Sequence, residues 1–70
     1  MDKLYKVNVM DRKNYSKYMS GSNDYVSSWA VVFAKNKTEV KNKVLKAGLM
    51  CENYIERVNN VGSSIDIIIN

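Results

Sequence analysis

Apolar and polar residues alternate through LYKVNVM (residues 4–10), with Tyr5, Val7 and Val9 on one side and Lys6 and Asn8 on the other. A period of two predicts a strand with one buried face. In YVSSWAVVFA (25–34) both sides are apolar: Tyr25, Trp29, Val31 and Phe33 oppose Val26, Ala30, Val32 and Ala34. This predicts a central strand covered on both faces, with Trp29 and Phe33 in the core. The period then lengthens. Val40, Val44 and Ala47 fall at i, i+4 and i+7 with Leu45 beside them, which is the stripe of an amphipathic helix. Asn36 is its expected N-cap, Glu39 completes a capping box, and Gly48 is its stop. Alternation returns in MCENYIERV (50–58) and SIDIII (64–69), which read as a hairpin turning at NNVGS (59–63). Ile65, Ile67 and Ile69 are expected to point inward and Asp66 outward, with Ile68 the odd apolar residue on the outer side.

One segment lacks a clear period. DRKNYSKYMSGSND (11–24) is too long for an ordinary connection. Tyr15, Tyr18 and Met19 are spaced for a short helix at 11–20, with Asp11 as cap and Gly21 as end. A mobile loop presenting aromatics is the alternative. These elements predict a single α+β domain over residues 1–70 in the order ββαββ, one mainly antiparallel sheet packed on a single helix. The other face of that sheet is half apolar with no element assigned to it, which points to a partner.

Composition narrows the chemistry. Seventy residues support only a thin core, and a lone cysteine, Cys51, excludes an internal disulfide. Self-association is therefore one expected source of stability. The chain has no histidine, so no Cys/His zinc site can form, and neither metal nor cofactor is expected. WAVVFA and III, the longest apolar runs, fall far short of the ~20 residues that span a bilayer. No secretory pattern is seen in MDKLYKVNVMD, so a cytoplasmic location without membrane contact is expected.

Catalysis finds little support. Histidine is the commonest general base, and it is missing. Glu52 and Glu56 on a strand would lie about 13 Å apart at ~3.3 Å per residue, too far for a glycosidase pair at ~5–9.5 Å. Cys51 has no histidine to activate it, and no phosphate-cradling glycine loop occurs. The expectation is a protein that is not an enzyme.

Charge raises a different possibility. Residues 34–48, AKNKTEVKNKVLKAG, hold five lysines and one glutamate. The rest of the chain has six charges of each sign, so the whole net charge of +4 lies here. Lys37, Lys41, Lys43 and Lys46 are the candidate phosphate contacts. They spread around the entire exposed arc of the helix, however, as solubility alone would demand. Arg12 and Arg57 are also the only arginines available for bidentate base reading. A second candidate surface is the 11–25 region, where Tyr15, Lys17, Tyr18, Met19 and Tyr25 combine the aromatic, basic and pliable residues typical of protein interfaces.

LYKV near the start and WAVVFAKNKTEVKNKV further on resemble small uncharacterised phage and mobile-element proteins. In that pattern an LYKV-like strand precedes a strand ending in VVAK and a helix with EA..KV. The counterparts here are Leu4 to Val7, Val31 to Lys35, and Glu39 to Val44, about 20 of the 70 residues. Val40 stands where the pattern has alanine, and the C-terminal segment differs. The resemblance implies a phage origin and brings no site residues with it. The expected function is a non-catalytic binding protein that inhibits or modulates a host defence or regulatory protein. A basic nucleic-acid-binding module and a self-associating structural protein are the alternatives.

Overall fold

A computed structural model describes the backbone of residues 2–70 and the side chains of these apart from that of Asn53. Strand β1 (Lys3–Met10) is followed by helix α1 (Arg12–Met19), strand β2 (Ser28–Ala34), helix α2 (Lys37–Lys46), and strands β3 (Met50–Arg57) and β4 (Ile67–Ile69). Among the described residues these strands form one four-stranded sheet in the order β3-β1-β2-β4. The class is α+β, as the periods predict, and β1 and β2 are the internal strands.

β1 runs antiparallel to β2 from Lys3↔Ala34 to Val9↔Ser28. The alternation in 4–10 places Tyr5, Val7 and Val9 in the core with Ala30, Val32 and Ala34, under Val40 and Val44 of α2. Half-buried Leu49, Cys51, Ile55, Ile67 and Ile69 complete this inner layer. Ile68 is 60% exposed, as its odd phase predicts.

Both ends of α2 are closed by local chemistry. The Glu39 N–H donates to Asn36 Oδ1 (2.9 Å), and the Glu39 carboxylate reaches back to the Lys35 N–H (3.3 Å). The second arm of the capping box thus lands one residue before the N-cap. At the other end Gly48 adopts φ +81°, which lets Gly48 and Leu49 donate to the carbonyls of Leu45 and Val44. These paired bonds satisfy carbonyls that would otherwise be orphaned, and Leu49 folds back onto the core. Ala47 is the C-cap and is exposed, so the apolar stripe ends at Val44.

Residues 12–19 take the helical alternative, so the sheet carries two helices and not one. Asp11 caps α1 by accepting from the Asn14 N–H (2.7 Å), and Gly21 at φ +85° ends it. The Gly21 and Ser22 N–H groups donate to Tyr18 and Lys17 carbonyls.

The predicted hairpin between 50–58 and 64–69 does not form. β3 pairs with the free side of β1, whereas β4 pairs parallel to β2 on the opposite edge. Both β2 and β3 are antiparallel to β1 and hence parallel to one another, so α2 is the crossover of a split β-α-β unit. β4 shares their direction, and two parallel strands cannot be joined by a tight turn. Residues 58–66 instead carry the chain to the far edge, where the Asp66 N–H donates to the Trp29 carbonyl (2.9 Å).

β3 is also irregular. Val7 pairs with Ile55 and Val9 with Cys51, so residues 52–54 bulge opposite Asn8 alone. Two extra residues preserve the alternation, which keeps both Cys51 and Ile55 on the inner face. The outer face is neither bare nor fully covered. Met10 and Val31 are buried there, while Leu4, Trp29 and Phe33 are half-buried and Ile68 lies open. Trp29 and Phe33, expected in the core from the sequence, therefore lie on the face turned away from α2. Among the described residues no helix is long and apolar enough to cross a membrane.

Candidate recognition site

On the outer face, beside α1, four aromatic rings from four segments surround an open cavity of about 300 Å³: Tyr18, Tyr25, Trp29 and Tyr54. Asn8, Met10 and Glu52 complete the lining. Met10 is buried, at 4% exposure, and forms the apolar part that is closed to water.

Each ring is held by a separate local device. The double cap of α1 sets Tyr18. The segment after it is tied back to the helix, because Asn14 Oδ1 accepts from the Val26 N–H (3.0 Å). Tyr25 thereby meets Tyr18 edge to face, with centroids 5.1 Å apart and planes at 79°. Across the cup Trp29 and Tyr54 form a second pair of the same kind, at 5.0 Å and 75°. Such pairs contribute about 0.5–1.5 kcal/mol beyond burial and fix ring orientation. Glu52 and Tyr54 are two residues apart on β3, so the strand's period of two turns both to the cavity, on the face opposite Cys51 and Ile55.

Polar contacts order the rim. Lys6 Nζ stands 4.5 Å from the Trp29 ring centre, a cation–π contact. The Tyr54 hydroxyl donates to Glu56 Oε2 (2.7 Å), and this bond to a carboxylate pushes the phenol above its ordinary value. Asn8 Nδ2 donates to Ser27 Oγ (3.1 Å) and to the Ser28 carbonyl (3.4 Å).

The residues singled out from the sequence are distributed unevenly about this cup. Tyr18 and Tyr25 line it, and Tyr15 leans on Tyr18 at 6.5 Å. Lys17 is half-buried and Met19 is 62% exposed; both lie outside the lining. Asn8, Met10, Trp29, Glu52 and Tyr54 are the lining residues that sequence reasoning does not select. The period of two does place Asn8 and Trp29 on the same side, and they are direct cross-strand partners. The same period puts Glu52 and Tyr54 opposite Cys51 and Ile55, but only the pairing of β3 with β1, more than forty positions earlier, brings them beside Asn8.

The helix lysines lie on the opposite side of the sheet. Lys37, Lys41 and Lys46 are exposed on α2, but Lys43 is half-buried. Its ammonium donates to the Phe33 carbonyl and lies 3.6 Å from Glu39. Cys51 is on the inner face beneath α2. Burial pushes its thiol up, with Lys41 pulling down and Glu52 pushing up, so it holds its proton at neutral pH. Asp11 is held below the usual carboxylate range, first by the Asn14 backbone N–H it accepts. Glu52 and Glu56 have different surroundings, one in the cup and the other bonded to Tyr54.

Comparison with protein-family models, curated proteins and solved structures yields no match for this chain.

Proposed function

We propose that the chain is a non-catalytic binding module that recognises another protein through the aromatic cup and acts by occupying or modulating that protein. The observation that carries this reading is the convergence of four rings from α1, the segment after it, β2 and β3 on one open cavity. Tyrosine and tryptophan in a partly desolvated pocket are the commonest anchors of protein interfaces. Tyr15 and Met19 extend that surface beyond the cup. The likeness of the first strand and α2 to phage and mobile-element proteins favours a bacterial defence or regulatory protein as the target.

The test is comparative capture from nuclease-treated bacterial lysate. Wild type is set beside a Tyr25→Ser/Tyr54→Ser variant, both positions being exposed enough to leave the core intact. A protein retained by wild type and lost by a variant of unchanged melting temperature supports the reading. Equal retention by both, or recovery of nucleic acid alone when nuclease is omitted, shifts the function to the α2 lysines.

A further inference from the structure

We infer that the cup receives the guanidinium group of an arginine side chain on the partner protein, with Glu52 as its counter-charge. This rests on the reading of the cup as a protein-recognition site and names what it recognises.

Three features of the lining converge on a cation. Aromatic faces carry negative quadrupoles, and Tyr18, Tyr25, Trp29 and Tyr54 bring four rings to one space. The protein already uses one of them in this way, since Lys6 stands over Trp29. Glu52 is the one charged residue of the lining, and among the described residues it makes no ion pair. Lys6 lies outside the lining and makes no ion pair with Glu52 among the described residues. The lining itself thus carries one negative charge, that of Glu52, within an apolar surround.

The hydrogen-bonding inventory selects arginine. The Asn8 amide nitrogen is committed to Ser27 and Ser28, which leaves its carbonyl oxygen as the acceptor it can offer a guest. A carboxylate and an amide carbonyl both seek donors. Guanidinium brings five N–H donors in one plane, stacks flat on aromatic rings and pairs side-on with a carboxylate. Ammonium has fewer donors and is more strongly hydrated. A cavity of about 300 Å³ lies at the lower bound of ligand sites, which suits a single inserted side chain. A nucleobase stacked on the same rings would bring its phosphate toward Glu52, which disfavours that guest.

Trp29 is the only tryptophan of the chain and lines the cup, so its fluorescence reports occupancy directly. The full chain is titrated with Nα-acetyl-arginine amide, with its neutral isostere Nα-acetyl-citrulline amide, and with a thymidine dinucleotide. Backbone amide NMR shifts locate the contact. The expected result is saturable binding of the arginine derivative that shifts Glu52 and Tyr54, with citrulline at least about fivefold weaker. Glu52→Gln is expected to weaken arginine binding by a similar factor while leaving citrulline binding and the melting temperature unchanged. Absence of arginine binding, equal binding of citrulline, insensitivity to Glu52→Gln, or tighter binding of the dinucleotide would each overturn the inference. Failure here remains distinct from failure of the proposed function. If Tyr25→Ser/Tyr54→Ser loses the captured partner and Glu52→Gln keeps it, the cup reads a protein through another group. If the tyrosine variant keeps the partner, the recognition reading itself is wrong.

Discussion

Gly48 shows how one residue closes an element. At φ +81° it occupies the left-handed region, and no atom lies within 4 Å of where a Cβ would project. The cost of a side chain there is thus conformational and not steric. Gly48→Ala is expected to destabilise the protein by about 1 kcal/mol, and Gly48→Asn by less, since asparagine tolerates that region. Urea unfolding checks this: the midpoint should fall in that order with the slope unchanged. Trp29 marks the limit of reading single residues. Its hydrophobicity and its place in an apolar run assign it to a core, and nothing in its neighbours shows that it would instead wall a cavity. That role depends on Tyr54, which arrives from a distant strand.

Among the elements, those legible in the sequence depend on near neighbours. The caps of α2, the alternation of β1 and the ends of α1 each involve residues within about one turn of one another, so Asn36, Asp11, Gly21 and Gly48 all declare their roles locally. The hairpin fails for the complementary reason. Alternating strands beside an Asn/Gly-rich stretch satisfy every local rule for a turn, and only the vacant edge of β1 decides otherwise. The bulge of β3 is equally non-local, since it exists only in the register against β1. Its two-residue size makes a sharp prediction. Deleting residues 53 and 54 together preserves the inward phase of Cys51 and Ile55, so that variant should fold, yet lose ligand-induced change in Trp29 fluorescence. Deleting residue 54 alone inverts the phase of one or the other, and it should unfold at markedly lower temperature. Equal melting temperatures for the two deletions would exclude this pairing of β3 with β1.

Viewed whole, the molecule sets its lysine-rich helix and its aromatic cup on opposite sides of the sheet. α2 carries Lys37, Lys41, Lys43 and Lys46 on one side, and the cup with Glu52 in its lining opens on the other. A surface of net charge +4 can steer association with an acidic partner while a different face makes the specific contact. The strand order that separates these faces also governs how the chain reaches its native state in time. β1 lies between β2 and β3. Its pairs with β2 join residues 19 to 31 positions apart, from Val9↔Ser28 to Lys3↔Ala34. Its pairs with β3 join residues 40 to 52 apart, from Met10↔Met50 to Tyr5↔Arg57. Closing the longer loops costs more entropy, so β1 and β2 should meet first and β3 last. Stopped-flow refolding should then show Val32→Ala slowing folding and Ile55→Val mainly hastening unfolding. Because Glu52 and Tyr54 come with β3, the aromatic cup should be the last part of the molecule to form and the first to be lost.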